Sequence, residues 1–213
     1  MNKKLTTKNK LIISFIITIA IIAIMYGIIL LILSDSLDTI FADNEIIIDY
    51  DFYPADYSEN IFEDEEYLKL ISNGFIGYDD NINFIYDIDK DTAAQHGKPV
   101  KLLVDMIYSI VNGDCEEYNS FFSEAYFKKN QPKAPFTMQK VYDVRITYFS
   151  TETITRNKQN EYTEYTYKLT YKIYENNGTF RKDIGDGYRV QYITISDREN
   201  KFKIDSIVFP VYK

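Results

Sequence analysis

Hydrophobic and polar positions change rhythm four times along the chain. Residues 11–33 read LIISFIITIAIIAIMYGIILLIL, 23 positions without a charge and without a polar stripe. At 1.5 Å rise per residue such a helix reaches about 34 Å, enough to cross a bilayer. A cleaved leader would have a shorter apolar stretch followed by small residues, and Leu31-Ile32-Leu33-Ser34-Asp35 offers no such site. Ser58 to Ser72 reads as a short helix with acids near its start, closed by Asn73-Gly74. Phe75–Tyr78 and Ile82–Ile88 read as two short strands around Asp79-Asp80-Asn81.

From Pro99 the period becomes helical. Val100, Leu103, Val104, Ile107, Ile110 and Val111 recur on one face until Asn112-Gly113 stops the helix. Asp114 with Glu117 makes a capping-box-like start to a second helix, and Ser123 can cap a last turn. After Gln131-Pro132-Lys133-Ala134-Pro135 the period is two. Tyr142, Val144, Ile146 and Tyr148 alternate with polar residues, as do Tyr165, Tyr167, Leu169, Tyr171 and Ile173. Asn177-Gly178 reads as a hairpin turn into a strand from Thr179 to Ser196, and a last strand covers Lys201 to Val211. Asn177-Gly178-Thr179 is also a glycosylation sequon, although the turn accounts for it. The pattern predicts antiparallel strands with one buried and one wet face.

Charge adds an orientation. Lys3, Lys4, Lys8 and Lys10 precede the apolar stretch without an acid, and Asp35, Asp38, Asp43 and Glu45 follow it without a base. By the positive-inside rule this predicts a single-pass protein of the cell membrane, of prokaryotic envelope type, with a cytoplasmic N-terminus and the remainder extracytoplasmic. Residues 34–98 hold 17 acids and 3 bases, whereas 99–213 hold 15 acids and 17 bases. The expected organisation is therefore a tail at 1–10, a membrane helix at 11–33, an acidic segment at 34–98 and an α+β domain at 99–213.

Composition narrows the chemistry. A formal net charge of -8 argues against nucleic acid as a partner. One cysteine, Cys115, excludes an internal disulfide and a cysteine-rich zinc site, and one histidine leaves little for metal or triad chemistry. Asp87, Asp89 and Asp91 have the opening spacing of a calcium loop, but Thr92 stands where its glycine belongs and Lys98 where its closing glutamate belongs. The acids at 59–66 read as a solvated helix face. Asp143, Asp183, Asp186 and Asp205 could serve as acids or bases only if the faces of their strands are reversed, and His96 lies in a loop outside the helix-and-strand region. No catalytic, metal or cofactor residues are assigned. Twenty tyrosines and fourteen phenylalanines can serve sheet packing, yet Tyr162, Tyr174, Tyr188 and Tyr192 are candidates for an exposed aromatic interaction surface.

The helix pair VKLLVDMIYSIVNGDCEEYNSFFSEAYFKK followed by four long strands resembles the nuclear-transport-factor-2-like fold over residues 99–213. That resemblance implies helices closed over a curved, cone-like antiparallel sheet of about four strands. With a membrane helix in front, the chain is similar to bitopic assembly components of type IV secretion and conjugation machineries. This implies a scaffold rather than an enzyme, without a cofactor. Its partners would be the lipid bilayer through 11–33 and other envelope proteins, and the resemblance leaves room for a homo-oligomer. An extracytoplasmic binder of small ligands or wall polymer is the alternative, and an isomerase-like enzyme a further one.

Overall fold

The computed structural model describes residues 51–157, 160–184, 188–198 and 201–210. Its centre is a six-stranded sheet: β1 (Ile76–Asp79), β2 (Phe84–Ile85), β3 (Val141–Asn157), β4 (Asn160–Ile173), β5 (Gln191–Ser196) and β6 (Lys203–Val208). The spatial order is β2-β1-β3-β4-β5-β6, and β1 runs parallel to β3 while every other neighbour is antiparallel. Among the described residues four helices accompany it: α1 (Glu65–Ile71), α2 (Lys98–Val111), α3 (Cys115–Ser120) and α4 (Glu124–Phe127), with 3-10 turns at Ile61–Glu63 and Ala93–His96.

The helices begin and end where their side chains allow. Asp64 caps α1 by accepting from the amides of Glu66 and Tyr67, Asp114 caps α3 by accepting from Glu117, and Ser123 caps α4 by accepting from Tyr126. Pro99 sits in the first turn of α2, where a missing amide costs nothing. Gly113 follows that helix at φ +67, and a Cβ there would come within 2.8 Å of the Met138 amide nitrogen, so the chain can turn back only at a glycine. Helix α2 is buried nearly all round, with Val100, Leu103, Val104, Ile107 and Ile110 at 1% exposure or less. It packs against β3, α3 and the 93–96 turn, and its core mates on the strands are Val144, Ile146, Tyr167, Leu169 and Ile193.

Several expectations are corrected. No helix among the described residues is long and apolar enough to cross a membrane. The stretch 11–33, read as a single-pass membrane helix, lies outside those residues. The architecture shown is thus an α+β unit with no membrane helix among them. The sheet is mixed, has six strands rather than about four, and is not cone-like. The two extra strands come from the acidic segment: Ile76 to Asp79 pair with Val144 to Thr147, and Tyr78 and Asp79 pair with Ile85 and Phe84. The charge step at residue 98 is therefore crossed by a shared sheet.

Asn177-Gly178 does not join two strands. Strand β4 ends at Ile173 and β5 starts at Gln191, and the chain between makes an excursion that buries Phe180 and Ile184. Local side-chain bonding explains the failure: Asn176 accepts from the Gly178 amide, and Asn177 accepts from the amide and hydroxyl of Thr179. The side chain of Asn177 also donates to Thr137, so the sequon is engaged in an internal network.

Tyr142 is on the open side of the sheet, opposite Lys172, because an extra residue at Asp143 (φ +51) shifts the register of β3. Val141, Val144 and Ile146 take the core side instead.

Because β1 pairs the edge of β3, a chain of residues 95–213 should expose that edge and aggregate or lose cooperative melting. A melting curve equal in midpoint and steepness to that of the full chain would show that β1 and β2 are dispensable.

Candidate interaction surface

Register assigns the side chains of the sheet's second face. Gly77, Arg145 and Thr170 lie in one row across β1, β3 and β4, and Asp79, Thr147, Lys168 and Tyr192 lie in the next across β1, β3, β4 and β5. Tyr142 stands opposite Lys172, and Thr166 opposite Thr194 with hydroxyls 3.4 Å apart. Gly77 is buried under the Phe84 ring, whereas the other residues of these rows are at least partly exposed, so from β3 to β5 the face is uncovered where the opposite one holds the core. A second bulge places Phe149, 59% exposed, with its ring 5.0 Å from that of Tyr192.

At one end of the face Lys172 reaches over two rings, 4.4 Å from the centre of Tyr188 and 5.6 Å from that of Tyr142. Its ammonium is 3.7 Å from Asp143, whose carboxylate also accepts from Tyr188 and from Arg145 at 3.4 Å. Burial alone would push this carboxyl up. The hydroxyl of Tyr188 and the two cations outweigh it and hold Asp143 below the usual carboxylate range. The ammonium of Lys168, at the middle of the face, makes no hydrogen bond or ion pair with any described residue. At the far end Arg198 lies 4.3 Å over the Tyr162 ring, donates to its hydroxyl and pairs with Asp205 at 2.9 Å and Glu164 at 3.6 Å.

Beside Asp143 a cleft of about 50 Å³ runs between Phe84, Tyr86 and Arg145. The Phe84 ring covers Gly77, where a Cβ would come within 2.8 Å of it. That space admits water but not a metabolite, whose pockets span about 300–1,000 Å³.

The four tyrosines singled out by sequence are thus divided. Tyr188, Tyr192 and Tyr162 share the open face, whereas Tyr174 sits where the acidic segment meets the sheet and donates to Glu66 at 2.9 Å. Glu66 and then burial push the Tyr174 hydroxyl up to about 12. The carboxylates considered for catalysis are each matched to cations. Asp183 lies between Arg181 and Arg189, Asp205 takes Arg198, and Asp143 takes Arg145 and Lys172; Asp186 lies outside the described residues. His96 packs its ring 5.3 Å from Tyr78. No group of three His, Cys, Asp or Glu side chains among the described residues could hold a metal. Asp89 spends its carboxylate on the amides of Asp91 and Thr92 and on the Thr92 hydroxyl, so the Asp87-Asp89-Asp91 spacing serves a turn.

Sequence reasoning missed Arg145, Lys168, Lys172 and Phe149. Lys168 and Lys172 were legible as part of a wet strand face, but the bulges that aim Arg145 and Phe149 were not. It also missed Lys140. This side chain is 9% exposed and its ammonium meets Asp64 at 2.7 Å, Glu175 at 2.7 Å and Glu59 at 3.0 Å. Burial opposes its charge, and hydrogen bonds to the three carboxylates more than restore it, so Lys140 is held above the ordinary lysine range. The bond from Lys140 leads the effects that hold Asp64 low.

Compared with known protein families, curated proteins and solved structures, the chain matches none of them.

Lys140 fixes a pH dependence. A lowered carboxyl such as Asp64 stabilises the fold above its unfolded value, near 4, and that contribution disappears as pH falls through the lower folded value. The raised lysine loses its contribution only at strongly alkaline pH. Replacing Lys140 by Met should cost about 2 kcal/mol at neutral pH, since the three carboxylates are partly solvated, and should flatten the acid limb. Urea melts between pH 3 and 7 check this: both proteins should weaken on acidification, because Asp143 and Asp183 are also held low, but the variant should weaken less, its facing carboxylates no longer losing a cation when they are protonated.

Proposed function

We propose that the chain is an extracytoplasmic interaction module, a scaffold that binds another protein on the open face of its sheet. The observation that carries this reading is the uncovered face itself, with Lys168, whose ammonium has no ion pair among the described residues, at its centre and Phe149, Tyr188 and Tyr192 around it. Aromatic and arginine side chains are typical anchors of binding surfaces, and Phe149, Tyr188, Tyr192 and Arg145 supply them on this face. The small cleft beside Asp143 weighs against a metabolite bound at that end of the face. Its extracytoplasmic position is proposed from the lysines before residues 11–33 and the acids after them. Membership of a conjugation or secretion assembly is the finer form of the proposal, supported by the resemblance of the helix pair within residues 99–130. A wall-polymer binder is the second reading, and the stacking of Lys172 on Tyr142 and Tyr188 favours it in particular.

A photoreactive side chain at Phe149 separates these readings in intact cells. Discrete protein adducts identified by mass spectrometry support the scaffold, and adducts with glycan alone overturn it in favour of the wall binder.

A further inference from the structure

Strands β3 and β4 outrun their neighbours. Ladder pairing with β1 ends at Thr147 and with β5 at Glu164, and beyond these residues β3 and β4 continue together as a two-stranded arm. Ser150, Thr151, Glu152, Thr153 and Thr155, on the β3 side of the arm, are exposed. Two strands alone are marginal in water, and further strands stabilise them.

Hydrogen bonding on the β4 side shows which backbone groups of β3 are free. Thr163 turns its amide to the Asp197 carboxylate at 2.7 Å and its carbonyl to the Asp197 amide at 3.2 Å, both away from β3. Thr153 stands opposite Thr163, so its own amide and carbonyl point away from β4. Register is regular from Ser150 to Thr155, which gives Thr151 and Thr155 the same direction. Before the bulge at Phe149, the Val144 amide donates outward to the Phe75 carbonyl and the Tyr148 carbonyl accepts from the Asn81 side chain. After it, the outward groups of Thr151, Thr153 and Thr155 have no partner among the described residues.

We propose that this free edge of β3 pairs with the same edge of a second copy, antiparallel about a two-fold axis at Ile154. In that register Thr153 of each copy faces Thr155 of the other as a hydrogen-bonded pair, so the outward amides and carbonyls of both residues are satisfied. Apolar Ile154 meets its counterpart at the centre. Charge favours this register over those nearer the domain. An axis at Glu152 or Thr153 sets the two Glu152 side chains opposite or diagonal to each other. With the axis at Ile154 they lie far apart, and Glu152 falls beside position 156 of the other copy, where the sequence has arginine. An axis of this kind is perpendicular to the sheet, so the two open faces point the same way and join into one surface. The inference goes beyond the reading of the open face and does not depend on what that face binds.

Disulfide trapping of the full chain in a neutral detergent tests it, with Cys115→Ser removing the native thiol. Residues directly opposite in a non-hydrogen-bonded antiparallel pair have Cα atoms about 4.5 Å apart, within the span of a disulfide. Ile154→Cys in that background should therefore oxidise to a covalent dimer in most of the protein, whereas Lys168→Cys, at the middle of the face, should stay monomeric. In sedimentation the native chain should have twice the monomer mass. Thr153→Pro should reduce it to monomer with melting unchanged, because the amide it removes does not bond β4. Glu152→Arg should also weaken association, and Glu152→Arg with Arg156→Glu should restore it. The pairing is overturned by a native chain that sediments as a monomer, or by Ile154→Cys that cross-links no more than Lys168→Cys. It is equally overturned by Thr153→Pro that associates as the native chain does, or by a charge exchange without recovery.

Discussion

The ammonium of Lys140 holds together two parts of the chain that differ most in charge. Almost wholly out of water, it is shared by Glu59 and Asp64 from the acidic segment and by Glu175 from the end of β4. A buried cation persists only when carboxylates replace its lost hydration, and three acids crowded together persist only around a cation. Asp64 is also the cap of α1, so the same carboxylate starts the helix and docks it. That helix presents fully buried Tyr67, whose hydroxyl donates to the carbonyl of Val141 at the start of β3. Ion pair, cap and tyrosine act at one junction, and the β1 and β2 strands that follow are delivered to the free edge of β3.

This docking decides which surfaces remain. Helix α2 and the acidic segment use one face and one edge of the sheet, and Ile204 of β6 exchanges hydrogen bonds with Phe121 and Ser123, which covers part of the opposite edge. What stays open is the second face. There the bulge at Asp143 places Tyr142 beside Lys172, and the bulge at Phe149 sets an exposed ring against Tyr192. A positive φ at a non-glycine residue is uncommon, and at Asp143 it coincides with the carboxylate that gathers Tyr188, Arg145 and Lys172. The face is organised by packing and ion pairs, with Lys168 outside every ion pair among the described residues.

Local signals were legible where local physics decides. The end of α2 at Asn112-Gly113, the Asp114 and Ser123 caps, and the inward set Tyr167, Leu169, Tyr171 and Ile173 all follow from spacing, and each is found. The short strands around Asp79-Asp80-Asn81 were also legible, but their parallel partner was not, because sequence separation hides which edge a strand joins. Asn177-Gly178 misled because Asx bonding satisfies the same residues in a loop as in a hairpin. Lys140 left no sequence trace: one lysine among polar neighbours looks solvated until the acids that surround it are brought from residues 59, 64 and 175. Of the four tyrosines proposed as a surface, Tyr188, Tyr192 and Tyr162 share a face. Tyr174 departs because β4 ends just before it and Glu66 is close by.

The central claim is that the acidic segment and the strands after it form one cooperative sheet through β1. Native-state hydrogen exchange of amides measures this directly. If the claim holds, the amides of β1 that bond to β3 should open with the same free energy as those at the centre of β4 around Tyr167 and Leu169, and both sets should respond alike to low denaturant. If the β1 amides instead exchange through a separate, low-energy opening while β4 stays protected, the segment is an appendage and the account is contradicted.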